Sequence, residues 1–199
     1  MKNLSFSRVG SLLLLALAVL GTSIVSSSGS SSPVWADVIE GTEGDDFIVG
    51  TAGDDIIDSK GGSDANLGDS FDGDGSGDDV LFSGEGDDGN VGDSAFGDGF
   101  GDDIIDSGEG DDVNLGDTVL GDGFGDDIIV SGEGGDLNSG DTFEGDGSGD
   151  DVIVSGEQDD TNTGNGGRDI FVCGGGEDDT VTDFNEAEGD IAVPDCENV

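Results

Sequence analysis

The sequence predicts an all-β fold built as a solenoid of stacked repeats. Three observations predict it. A 24-residue unit recurs without slippage through four copies, from Gly53, Gly77, Gly101 and Gly125, and starts a fifth time at Gly149. Every unit carries an apolar pair at the same place: Ile56-Ile57, Val80-Leu81, Ile104-Ile105, Ile128-Ile129 and Val152-Ile153. Glycine supplies 41 of 199 residues and Asp plus Glu 49, against 4 Lys plus Arg, which is far from ordinary globular composition. A repeat this short cannot bury its apolar positions alone, but stacked copies can. A disordered acidic chain has no need of an apolar pair at a fixed place, so the pairs point to a core.

The first 36 residues hold no acid. Lys2 and Arg8 precede an apolar run, Leu12 to Val25, then a Ser/Gly stretch and Val34-Trp35-Ala36. Basic start, apolar middle and small-residue end are the three parts of a secretory signal peptide. The run is short for a membrane span of roughly 20 residues. Residues 1–36 are therefore expected to be a signal peptide cleaved after Ala36, leaving a secreted chain with no membrane attachment. That chain keeps all 49 acids and only Lys60 and Arg168 as cations.

Residues 37–163 form the repeat region. Each unit divides as 9 + 9 + 6; in the third these are DGFGDDIID (98–106), SGEGDDVNL (107–115) and GDTVLG (116–121). Two further nonapeptides, GTEGDDFIV (41–49) and GTAGDDIID (50–58), lie at the front. These segments resemble the G-G-x-G-x-D-x-U-x repeat of the repeats-in-toxin (hemolysin-type) calcium-binding proteins, where U is a large apolar residue. The resemblance runs from residue 41 to about 191. It implies a right-handed parallel β-roll with calcium held in the loops between short strands.

The chemistry suits the spacing. Glycines let the loop turn sharply and aim carbonyls inward, and the sixth-place Asp adds a charged oxygen. Calcium takes six to eight oxygens, more than one loop supplies, so two stacked loops must share an ion. Carried over by position, the metal candidates form two columns. One is Asp55, Asp79, Asp103, Asp127 and Asp151; the other is Asp64, Asp88, Asp112, Asp136 and Asp160. Asp46 precedes them, and Asp169 and Asp179 follow. Five stacked loops leave four gaps per column, so about eight calcium ions fit the central array. Carboxylates roughly 4.8 Å apart repel by on the order of 1 kcal/mol in water, and by more at lower dielectric. Summed over both columns, this rivals the roughly 5–15 kcal/mol that stabilises a domain. The chain is therefore expected to fold only when calcium binds.

Some positions depart from the motif. Lys60 replaces the second-place Gly and Gln158 the fourth, so the loops of Asp64 and Asp160 are the weakest candidates. Phe71, Ala95, Val119 and Phe143 form an apolar column in the six-residue insert, which favours a third side over a bulging loop. The second nonapeptide puts Asn66, Asn90, Asn114, Asn138 and Asn162 where U belongs. They point inward as an amide ladder or outward, and the sequence leaves both open. A further acid column, Asp69, Asp93, Asp117 and Asp141, reads by default as a solvated face.

Residues 164–199 hold the closing nonapeptides, GNGGRDIFV and GGGEDDTVT, and both cysteines. Two cysteines in an oxidising compartment most often pair, so Cys173 and Cys196 are expected to staple a C-terminal cap. Four cations cannot build a nucleic-acid face. With no His, no G-x-S-x-G and no phosphate loop, an enzyme is not expected. The opening Asp72-Gly73-Asp74 resembles an EF-hand start, but Ser83 stands where its closing Glu belongs. The sequence thus describes a secreted, calcium-binding protein. The alternative is an extracellular structural or adhesion protein that uses the calcium-stabilised solenoid as a scaffold.

Overall fold

A computed structural model describes residues 24–26 and 37–199. Apart from Ile24–Ser26, the expected signal peptide lies outside the described residues. Strands are short, because glycine-rich loops interrupt the chain twice or more per turn and leave only two to six residues extended. All strand pairs are parallel. Through the repeats they join positions 24 residues apart: Ile105 pairs with Leu81 and Ile129, and Asn114 with Asn90 and Asn138. The chain is thus a parallel β-solenoid of about six turns, as the repeat predicts.

The first nonapeptides build one eight-stranded sheet, from Val38–Glu40 to Ile191–Ala192. The second nonapeptides build another, from Ile24–Ser26 to Thr180–Val181. Between these sheets lies the main core. Ile57, Leu81, Ile105, Ile129, Ile153 and Phe171 point into it and are fully buried. The same strands send Ser83, Ser107, Ser131 and Ser155 inward two residues later, as the period-2 geometry of a strand requires, and Ser59 is buried likewise just past Ile56–Asp58.

The open question of the Asn column is resolved inward. All five are fully buried. Asn90 Nδ2 donates to Asn114 Oδ1 at 2.9 Å, and Asn114 Nδ2 to Asn138 Oδ1 and to Ser107 Oγ, both at 3.0 Å. Amide and hydroxyl satisfy one another turn after turn, so a polar ladder fills half of the core without stranded donors.

The insert makes a third side. Ser94–Phe96, Thr118–Leu120 and Thr142–Glu144 pair as a three-stranded sheet, with Gly99–Phe100 and Gly123–Phe124 as a smaller one. A second apolar cluster lies beneath it, where Leu67, Val91, Ala95 and Leu115 meet Val119 and Phe143. The second-nonapeptide sheet is therefore covered on both faces. At the C-terminal end Cys173 and Cys196 are bonded, and Cys173 sits in the main core with Phe184, Ala192 and Cys196 against it.

Candidate metal centre

The sixth-place aspartates end up where the sequence places them, in two buried columns along the edges of the main core. Each of the thirteen is at most 3 % exposed, although all carry a carboxylate. One oxygen of each after Asp46 is used in a ladder that Asp46 N–H joins. Asp79 N–H donates to Asp103 Oδ1 and Asp103 N–H to Asp127 Oδ1, both at 2.7 Å. In the second column Asp88 N–H donates to Asp112 Oδ1 at 2.8 Å, and Asp112 N–H to Asp136 Oδ1 at 2.9 Å. Asp46, Asp55, Asp64, Asp151 and Asp160 continue the pattern, down to Asp169 and Asp179. Asp190 and Glu197 accept the last two bonds; they lie in no complete nonapeptide, so the motif did not find them.

The other oxygen is the informative one. Oδ2 of Asp64, Asp79, Asp88, Asp103, Asp112, Asp127, Asp136, Asp151, Asp160 and Asp179 is buried without a hydrogen-bond partner. An unpaired buried charge is among the costliest features a fold can carry. Only Lys60 and Arg168 among the described residues are cations, and they pair with Glu40 at 3.1 Å and Asp150 at 2.6 Å, at the surface. Burial, aided by neighbouring carboxylates, raises Asp79 to about 9, Asp88 and Asp151 to about 8, and Asp112 and Asp160 to about 7. Asp103 and Asp127 lie well above the ordinary carboxylate range for the same reason. Donors from the backbone act against the rise but do not cancel it. Hard anionic oxygens, stacked and unneutralised, fit calcium.

The loops of Lys60 and Gln158 keep the positive φ of their neighbours. Lys60 takes φ of 81° and Gln158 of 86°, where the aligned Gly84 and Gly134 take 99° and 143°. Asp64 and Asp160 stay buried and in ladder register.

One expectation is overturned. The insert acids do not form a solvated face: Asp69 is 3 % exposed, and Asp93, Asp117 and Asp141 are fully buried. The third side roofs them over, and they turn toward the first aspartate column. Three triads result: Asp69–Asp79–Asp93, Asp93–Asp103–Asp117 and Asp117–Asp127–Asp141. Within each, one carboxylate oxygen per residue lies within 4.8 Å of the others. Both oxygens of Asp93, Asp117 and Asp141 lack a hydrogen-bond partner. Burial is again the main cause that raises Asp93 and Asp141 to about 9 and Asp117 to about 8. The signal was present in the sequence as a Gly-Asp pair opening every insert.

A parallel solenoid with carboxylate ladders in its turns defines a class of cation-binding repeat protein. The family model of the RTX calcium-binding nonapeptide repeat matches four times, over residues 36–65, 74–89, 98–113 and 145–181. The chain belongs to this RTX repeat family, whose nonapeptides bind calcium. Comparison with curated proteins gave no match.

Proposed function

We propose that this is a secreted, non-enzymatic protein that takes up about eight or more calcium ions through its nonapeptide loops and folds as it does so. The observation that carries the reading is the half-used carboxylate of ten aspartates, from Asp64 to Asp179: Oδ1 is held by the neighbouring turn, while Oδ2 is buried and left without a partner. At the start of the array Thr42 and Thr51 donate to Oδ2 of Asp46 and Asp55. Asp46, Asp55, Asp64, Asp79, Asp88, Asp103, Asp112, Asp127, Asp136, Asp151, Asp160, Asp169 and Asp179 are the proposed ligands, with loop carbonyls beside them. Extracellular modules of this kind need only weak affinity, roughly 10⁻⁴–10⁻³ M. Because each ion joins two turns, uptake is cooperative. Cleavage after Ala36 removes Ile24–Ser26, which pairs with Phe47–Val49, and begins the secreted chain at Asp37.

The test compares the middle and the end of one assembly. Replacing Asp103 and Asp127 by Ala raises the calcium midpoint severalfold, whereas Asp46→Ala moves it little. Equal effects contradict ions shared between stacked loops. A start other than Asp37, found by N-terminal sequencing of the secreted protein, contradicts the cleavage site.

A scaffold role is the second reading. It is favoured by the outer surface of the first sheet, where Ile56, Ile104, Ile128 and Ile170 line up half-exposed in register. A regular apolar strip of this kind suits contact with another surface.

A further inference from the structure

The acids of the insert lie outside every segment matched by the nonapeptide model: Asp69, Asp93, Asp117 and Asp141 all fall in the gaps between matched segments. Asp69, at one end of the row, accepts from Gly53 N–H and Ser76 N–H, but the other three are less well served. The nonapeptide aspartates keep one oxygen in a ladder, whereas Asp93, Asp117 and Asp141 have neither oxygen hydrogen-bonded. No side-chain cation is near, since both described cations pair at the surface elsewhere.

The two ends of this column provide an internal comparison. The stack of glycines that precedes it runs Gly50, Gly68, Gly92, Gly116, Gly140 and Gly164, the first five each facing the carboxylate of a first-column Asp and Gly164 that of Asp169. The residue after each glycine is Thr51, then four Asp, then Asn165. At Thr51 the hydroxyl and the N–H donate to Asp55 Oδ2 at 2.9 and 2.6 Å, so that carboxylate is satisfied by the chain itself. At Asn165 the amide accepts from Asp141 N–H and Thr142 N–H, both at 3.2 Å, and donates to Thr142 O at 3.0 Å. Between those ends an acid stands where a neutral donor would complete the site. An acid facing an acid in a dry place needs something positive between them.

We propose that the insert acids and the first aspartate column together hold a row of three buried calcium ions, one per triad, in addition to the ions of the nonapeptide loops. Oxygens that share a calcium lie about 2.3–2.6 Å from it, hence at most about 5 Å from one another. The 4.8 Å limit within each triad meets this. Asp93 and Asp117 each belong to two triads and bridge neighbouring ions. Three divalent ions bring six positive charges to seven carboxylates, so the row comes close to neutral. Magnesium, which keeps several waters in a strict octahedron, is poorly served by so dry a place. The row stops at Asn165 because the amide already satisfies its neighbours. It thereby ties the third side to the main solenoid. This inference rests on the calcium-binding reading of the nonapeptide loops but concerns different residues.

The test is a count of bound calcium per chain on the secreted protein, by elemental analysis after gel filtration in calcium buffer. The double variant Asp93→Asn, Asp117→Asn is expected to hold three ions fewer than the natural chain. A control with the same charge change at exposed positions, Asp72→Asn with Asp106→Asn, holds the natural number. Equal counts in the natural chain and the double variant overturn the row while leaving the loop sites standing. No calcium on the natural chain overturns both readings. If the double variant does not fold, Asp141→Asn decides, because that residue belongs to one triad only and its loss removes one ion; an unchanged count overturns the row. Asn165 shows that an amide is accepted in this column.

Discussion

At the scale of the residue, the core of this solenoid is half apolar and half amide. Asn114 donates to Ser107 and Asn138 and accepts from Asn90, all within 3.0 Å. Asn114→Ala leaves those partners buried and unpaired and is expected to cost about 1–3 kcal/mol, read from the calcium-saturated thermal midpoint. An unchanged midpoint contradicts a ladder that carries stability. Gln158 occupies a left-handed backbone position at φ of 86°. Gln158→Gly therefore stabilises, by about 1 kcal/mol. The Ile column was legible from spacing alone, because U sits two places after Asp in every first nonapeptide. The Asn column was not. Its strand is buried on both faces, with Leu67 and Leu115 on the side away from Asn, so alternation could not say which face was the core. The insert acids were misread for a related reason. Solvation is the sound default for a charge, and only the roof formed by the third side removes it.

At the scale of the element, the insert and the cap are what distinguish this chain from two repeating nonapeptides. The third side covers Leu67, Val91 and Leu115, and it does so with small sheets that pair only with their own kind. Its existence followed from the apolar column at Phe71, Ala95, Val119 and Phe143. The burial of its acids did not, since a linear pattern does not show which loop folds over which. The cap is held by Cys173–Cys196, separated by 23 residues in sequence. A bond closing a loop of that length stabilises by about 3 kcal/mol in the chain-entropy account. Reduction is expected to raise the calcium midpoint and to expose the last turn first, which hydrogen exchange at Phe171 and Val181 would report. Uniform exchange along the solenoid after reduction argues against a local cap.

At the scale of the whole molecule, the proposal that calcium drives folding rests on buried charge. Burial raises Asp69 and Asp169 to about 6, Asp112 to about 7, Asp88 to about 8 and Asp79 to about 9, from an ordinary 3.8. A carboxyl that binds its proton more tightly when folded supports the fold fully below pH 4, and the support is lost as pH rises through 6 to 9. In chelator, acidification from pH 8 to pH 4 is therefore expected to increase β-structure by circular dichroism; a decrease contradicts buried, mutually repelling acids. Calcium competes with those protons, so its midpoint falls as pH rises over the same range.

The central claim is that cations complete this fold. The most direct measurement is a calcium titration of residues 37–199 from chelator at neutral pH, followed by far-UV circular dichroism, with magnesium as control. The account predicts a steep coil-to-β transition with calcium and none with magnesium. A β spectrum already present in chelator and unchanged by calcium would contradict it.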